Sequence, residues 1–161
     1  MKVNVKQAFL APDYKQEFEF YLDDSYKADI EGADKIFVKA KLWSERQQVM
    51  LKLEIDADFL LQCDRCLDSF EKNVIISTEK PLAREYDSLD DGEAFVISNN
   101  YTLDLGMQAR DLIILEFPTK HVCREDCKGL CPVCGCNLNT SSCSCDIKQI
   151  DPRLEVLKDL F

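Results

Sequence analysis

The sequence predicts an α+β fold: an antiparallel β-sheet covered by a helix, with a cysteine-rich, zinc-binding C-terminal extension. Three observations carry this expectation. Two long stretches alternate apolar and charged residues with period 2, one later stretch has helical period between a cap and a proline, and seven of the nine cysteines fall between Cys123 and Cys145. The expected boundaries are a sheet domain over 1–118 and a zinc-knuckle extension with a C-terminal helix over 119–161.

At 161 residues and 46% hydrophobic composition, the chain can bury a modest core in one domain with a small appendage. Its formal net charge of -10 argues against an extended basic surface for nucleic acid. The N-terminal M-K-V-N-V-K-Q-A-F-L lacks the apolar run of a signal peptide, and no stretch approaches the roughly 18 apolar residues that a membrane span needs. The expected location is the cytoplasm, with no membrane partner. In that reducing compartment nine cysteines read as metal ligands rather than as a disulfide framework, and an odd count leaves one thiol outside any complete pairing.

Taken in order, Lys2 to Phe9 alternate loosely and predict a first strand. Phe18, Phe20 and Leu22 alternate with Glu17, Glu19 and Tyr21, the pattern of a half-buried strand. Asp23 to Asp34 is polar and reads as a loop with room for a helical turn. Ile36, Val38, Ala40 and Leu42, and then Val49, Leu51, Leu53, Ile55, Ala57 and Phe59, share one face each of two long antiparallel strands joined by a turn over Ser44 to Gln48. Alternation sends every apolar side chain to one side, which builds a one-sided core. Lys72 to Thr78 reads as a returning strand, so Cys63-Asp64-Arg65-Cys66 sits at a hairpin tip. The acidic run Glu85 to Glu93 reads as a solvated loop, and Phe95-Val96-Ile97 as a short strand. Asp104 is the expected N-cap of a helix ending at Phe117 before Pro118, with Leu105, Ala109, Leu112 and Ile113 on its packed face. Asp151-Pro152 opens a second helix carrying Leu154, Leu157 and Leu160.

Thiolate is the ligand that suits Zn²⁺ in a closed tetrahedral cage. The pairs are Cys63/Cys66, Cys123/Cys127, Cys131/Cys134 and Cys143/Cys145. Pro132 stiffens the C-P-V-C-G turn, and Gly135 is expected to relieve crowding beside the sulfurs. Four pairs group into two four-thiolate sites in three ways. Three residues between Cys127 and Cys131 are few for a chain reversal, whereas eight between Cys134 and Cys143 accommodate a small ribbon. The favoured grouping therefore joins Cys131/Cys134 to Cys143/Cys145, and Cys63/Cys66 to Cys123/Cys127. A single site with free remaining thiols, and an iron–sulfur cluster, are the competing readings. Cys136 is the odd thiol, read as a spectator or spare ligand, and His121 is a substitute ligand at most. Four thiolates leave no open coordination position, so the two expected zinc ions are structural. No catalytic constellation and no small-molecule substrate are expected.

The segments C-R-E-D-C-K-G-L-C-P-V-C-G-C-N-L-N, C-S-C and I-D-P-R-L-E-V-L, with C-D-R-C-L-D-S-F and L-D-L-G…I-I-L-E-F-P before them, resemble the YceD family, from about Leu53 onward. Cys136 departs from the family pattern, where a small non-thiol residue is expected. The resemblance implies a non-enzymatic, cytoplasmic ribosome-biogenesis factor that supports synthesis, processing or stability of 23S rRNA in large-subunit assembly.

The residues themselves leave the partner open. Arg65, Lys120, Arg124 and Lys128 lie in or beside the thiol pairs and are the candidate contacts to RNA phosphates; the alternative is that they neutralise the thiolates. A second hypothesis is an adaptor that binds a large-subunit ribosomal protein or assembly factor through its acidic surface. A third is a thiol–disulfide or redox-sensing protein using Cys63/Cys66. A redox C-x-x-C should precede a helix, and Leu67-Asp68-Ser69-Phe70 does not read as one.

Overall fold

The structure, a computed structural model, describes residues 1–46, 48–84, 94–98 and 100–145. In chain order its elements are β1 (Lys2–Asn4), α1 (Lys6–Leu10), β2 (Lys15–Tyr21), α2 (Asp24–Lys27), β3 (Ala33–Glu45), β4 (Gln48–Gln62), β5 (Ser69–Arg84), β6 (Phe95–Ile97), β7 (Thr102–Asp104) and α3 (Leu105–Glu116). Two compact units result: Met1–Leu61 with Glu71–Thr119, and Gln62–Phe70 with Lys120–Phe161. The fold is α+β with antiparallel pairing dominant.

The principal sheet has the order β2-β3-β4-β5-β6, and β1 pairs with β7 in a second, two-stranded sheet. Register follows from the alternation. Ile36, Val38, Ala40 and Leu42 of β3 stand opposite Ala57, Ile55, Leu53 and Leu51 of β4, so both strands send their apolar residues to the same side. All eight are buried, together with Val49 and Phe59. The other face is charged: Lys39 pairs with Glu19 at 3.4 Å and Lys41 with Glu17 at 3.2 Å across β2 and β3. Such exposed pairs contribute little individually, so the buried face stabilises the sheet.

Helix α3 starts where the sequence places it. The Asp104 carboxylate accepts from the N–H groups of Gly106 at 3.1 Å and Met107 at 3.2 Å. It also accepts from the Tyr26 hydroxyl at 2.9 Å and lies 3.5 Å from the terminal ammonium of Met1. Leu105, Ala109, Leu112 and Ile113 are buried, Phe117 caps the C-terminus, and its ring meets Phe59 at 4.6 Å between centroids. Burial pushes the Asp104 pKa up, but the Tyr26 hydroxyl, the Met107 N–H and the Met1 ammonium outweigh it and hold the carboxylate below its ordinary value. Asp104→Ala is expected to cost about 1–2 kcal/mol of stability in urea unfolding, and Asp104→Asn, which keeps a capping acceptor, clearly less. Because the folded pKa is depressed, the charge-dependent part of the contribution is complete above the ordinary carboxylate pKa. It disappears as pH falls through the folded value, so the gap between wild type and Asp104→Asn should close in acid.

Several elements differ from the sequence expectation. The first strand stops at Asn4, and Lys6–Leu10 is helical. Val5 and Ala8, three residues apart, are both buried, and the Ala8 carbonyl accepts from the Ser44 hydroxyl at 2.5 Å. The strand expected over Lys72 to Thr78 runs from Ser69 to Arg84, where Glu79-Lys80-Pro81 had masked its continuation into buried Leu82 and Ala83. The acidic run Glu85 to Glu93 and the helix expected at Asp151-Pro152 lie outside the described residues. Among the described residues no helix is long and apolar enough to cross a membrane.

Candidate metal centres

The two-residue phase of β4 continues past Leu61 to Cys63, which is fully buried. The chain then reverses tightly. Leu67 N–H donates to the Cys63 carbonyl and Cys63 N–H to the Asp68 carbonyl, both at 2.9 Å, with Leu67 at a φ of 62°. No helix follows Cys66, because β5 begins at Ser69.

The two residues between these cysteines hold the later segment. Asp64 N–H donates to the His121 carbonyl at 2.8 Å, and the Asp64 carboxylate accepts from His121 N–H at 2.7 Å. The Arg65 guanidinium donates to the carbonyls of Glu125 at 3.2 Å and Cys127 at 3.0 Å, while its own carbonyl accepts from Leu130 N–H at 3.0 Å. Phe70 and Val122 pack against the thiols thus gathered. The Sγ atoms of Cys63, Cys66, Cys123 and Cys127 all lie within 4.8 Å of one another.

Two separations are informative. Cys63 and Cys127 sulfurs are 3.9 Å apart, and those of Cys66 and Cys123 3.8 Å. A disulfide needs about 2.05 Å. Four sulfurs at the usual Zn–S distance of about 2.3 Å around a tetrahedral ion stand about 3.8 Å apart. The donor set and its spacing fit a closed four-thiolate metal site.

The surroundings favour thiolate at some positions. Burial pushes the Cys63 thiol up, but N–H groups of Cys123, Cys66 and Arg65 outweigh it and bring the pKa down to about 6. Burial likewise opposes, and the Asn139 amide and the Gly129 N–H overcome it, at Cys127, which is lowered. For Cys66, the Asp68 N–H lowers the pKa, but burial and hydrogen bonds to neighbouring thiols push it up to about 12. Thiols packed this closely cannot all ionise without mutual repulsion, and a divalent cation would offset the charge of the thiolates.

A second cluster follows on a short ribbon. Leu130 and Asn137 form a bridge, Cys131 N–H donates to the Cys136 carbonyl at 2.8 Å, and Gly135 N–H donates to the Cys131 carbonyl at 2.9 Å. The Sγ atoms of Cys131, Cys134, Cys136 and Cys143 lie within 4.8 Å of one another. Cys136 stands in this group where the sequence expectation had Cys145, which is not among the four mutually close thiols. N–H groups of Cys134 and Val133 lower Cys131 to about 6, whereas neighbouring thiols, Cys134 foremost, raise Cys136 to about 11 and Cys145 to about 12. Nothing lies within 4 Å of a Cβ placed on Gly135, whose φ is +73°. Its glycine therefore answers to backbone conformation and not, as expected, to crowding.

Gly129 meets both demands. Its φ is +73°, and a Cβ there would stand 2.9 Å from the Arg65 carbonyl oxygen that accepts from Leu130. Gly129→Ala should therefore displace the Arg65–Leu130 contact and weaken metal retention at the first cluster, measured as faster loss of metal to a chelator.

Of the basic residues considered for RNA, Arg65 is committed to backbone carbonyls and Arg124 lies 3.4 Å from the Asp126 carboxylate. Lys128 donates its backbone N–H to the Asn139 side chain at 2.9 Å. Lys120 sits beside His121, in the segment that Asp64 holds.

Asn137 and Asn139 carry roles that sequence reasoning missed. The Asn139 amide donates to the Cys127 sulfur at 3.3 Å and to the Asn137 side chain at 2.9 Å, and the Asn137 amide donates to the Asp68 carboxylate at 2.7 Å. The N-L-N string after C-P-V-C-G-C was the available signal: asparagine side chains bond nearby backbone groups in turns, and the Asn137 side-chain oxygen accepts from the Asn139 N–H at 3.0 Å.

A family model described as large ribosomal RNA subunit accumulation protein YceD matches residues 51–161. The chain belongs to the YceD family. The matched span contains all nine cysteines. Among curated relatives, a maize protein named as a chloroplastic YCED homolog 1, large ribosomal RNA subunit accumulation protein, is 45% identical over 60 residues, covering 37% of this chain and 20% of its own. A Mycobacterium bovis protein is 30% identical over 122 residues, covering 73% and 58%, and a Mycobacterium leprae protein is 27% identical over 114 residues, covering 68% and 52%. The chain thus spans a fifth to somewhat over half of the length of these relatives. No solved structure matches it.

Proposed function

We propose that this protein is a non-enzymatic ribosome-biogenesis factor that supports 23S rRNA in large-subunit assembly and holds two structural zinc ions. Membership of the YceD family, through a match that spans both thiol clusters, carries the reading. Cys63, Cys66, Cys123 and Cys127 would hold one ion, and Cys131, Cys134 and Cys143 with a fourth thiol, Cys145 in the expected pairing, the other. Zinc bound by four thiolates has no open position for substrate, so its chemical contribution is to cross-link segments. The site of action would be the cytoplasm.

The partner is either rRNA itself or a large-subunit ribosomal protein or assembly factor. The net charge of -10, with Arg65 and Arg124 engaged within the protein, favours contact through a basic protein partner over direct phosphate binding by these residues. A thiol–disulfide role for Cys63/Cys66 has less support, since neither cysteine stands at a helix N-terminus.

Depletion of the protein in its host, followed by quantification of 23S against 16S rRNA, tests the proposal. The large-subunit rRNA should fall relative to the small and recover with the wild-type chain. An unchanged ratio would refute it. Crosslinking with and without nuclease separates the two kinds of partner: a protein contact survives nuclease treatment and an RNA contact does not.

A further inference from the structure

The charges on the outer face of the principal sheet are unevenly compensated. Glu19, Glu17 and Glu54 each have a lysine partner, in Lys39, Lys41 and Lys52, at 3.4, 3.2 and 2.7 Å. Asp56 and Asp58, two positions apart on β4 and both exposed, have no cationic partner among the described residues. Their carboxylates accept instead from the Asn73 amide of β5, at 2.7 and 2.8 Å, which fixes the pair without cancelling its charge. Beside them the face turns apolar. Tyr21 is 69% exposed and Ile75 is 75% exposed. Phe37 stands opposite Tyr21 on one side and Asp56 on the other, with its ring 5.1 Å from that of Tyr21 between centroids. One cation already uses this ring, since Lys39 Nζ lies 5.6 Å from its centre. A groove of about 260 Å³ is lined by Phe37, Asp56 and Ile75, and all of these residues belong to the first compact unit.

We propose that this face is the docking surface for an arginine-bearing segment of a basic protein. The inference rests on the protein-partner reading above and goes beyond it in giving that partner a place and a chemistry. A guanidinium is planar, forms paired hydrogen bonds to carboxylates and stacks on aromatic rings, whereas an ammonium is a compact, strongly hydrated point charge. Asp56 and Asp58 supply the carboxylates, and Tyr21 and Phe37 supply the rings. Because Asn73 holds both carboxylates before any partner arrives, less ordering remains to be done on binding. The apolar stem of the same arginine would cover the exposed surface of Ile75. Carboxylates without cationic partners repel phosphate, so this face selects a basic protein over RNA.

The test titrates the full chain into a fluorescein-labelled peptide of alternating arginine and alanine, its lysine counterpart, and a thymidine oligonucleotide, read by anisotropy. The arginine peptide should bind more tightly than the lysine peptide, and the oligonucleotide should not bind. Asp56→Asn combined with Asp58→Asn, which keeps an oxygen for the Asn73 amide, should weaken the arginine peptide about tenfold, and Tyr21→Ala about threefold. Asp111→Asn combined with Glu116→Gln makes the same change of charge at exposed positions of α3 and should alter binding by less than about twofold. Amide NMR shifts of the wild-type chain on adding the arginine peptide should centre on Tyr21, Phe37, Asp56 and Ile75, a map that depends on no variant folding. Equal weakening by the α3 control, shifts spread over other acidic surfaces, or preference for the oligonucleotide would each overturn the docking face. None of these outcomes bears on the 23S-to-16S ratio after depletion, so failure of the docking face and failure of the function proposed above are distinguishable.

Discussion

Cys63→Ser is expected to strip the first thiol centre of its metal and unfold the segments that it joins. Cys63 is fully buried, its sulfur lies 3.9 Å from that of Cys127, and it accepts the Cys123 N–H at 3.4 Å. Around it are chiefly other thiols, Phe70 and Val122, too small an apolar cluster to hold the unit unaided. Structural zinc contributes an apparent ~10–16 kcal/mol to the folding of small thiolate sites near neutral pH, which outweighs any single contact here. The variant should lose one zinc ion and become sensitive to proteolysis between Lys120 and Lys128, and a strong chelator should do the same to the wild type. The β signal in circular dichroism should persist, because the principal sheet's buried face is apolar. Full metal content and protease resistance in Cys63→Ser would contradict the role given to this thiol.

Leu53→Ala should destabilise the sheet by about 2–5 kcal/mol, the range for deleting a buried leucine side chain where the surroundings relax only partly. Leu53 is fully buried at the centre of β4, opposite Ala40 and flanked on its own face by Leu51 and Ile55. Ala40 is too small to fill the space left behind. In urea unfolding the midpoint should fall while the slope stays the same. Lys41→Ala, on the opposite face and half exposed, removes only the surface pair with Glu17 and should change stability by less than about 1 kcal/mol. Similar effects for the two variants would mean that β3 and β4 do not bury the face assigned to them.

The parts of this molecule that were legible in the sequence are those governed by one local rule. From Ile36 to Phe59 the alternation has a single period and a single buried face, and the observed register reproduces it residue by residue. Asp104 was recognisable as a cap because its short carboxylate can reach the N–H groups two and three residues on. Elements set by distant contacts were not. The helix at Lys6–Leu10 has no side-chain cap and depends on Ser44 and on the Val5 N–H bond to the Tyr101 carbonyl. The strand Thr102–Asp104 exists because Lys2–Asn4 lies beside it. Among the thiols, spacing pointed to the meeting of Cys63/Cys66 with Cys123/Cys127, and the structure brings these four together. Spacing placed Cys145 in the second site and Cys136 outside it as a spectator or spare ligand, whereas the four mutually close thiols are Cys131, Cys134, Cys136 and Cys143; nor could spacing show that Asn139 reaches the sulfur of Cys127.

Native mass spectrometry of the full chain, purified without chelator, tests the two-centre structure most directly. The masses should show two zinc ions per chain, with one alkylatable thiol before acid denaturation and nine after it. A metal-free chain with all nine thiols open to alkylation in the native state would contradict it.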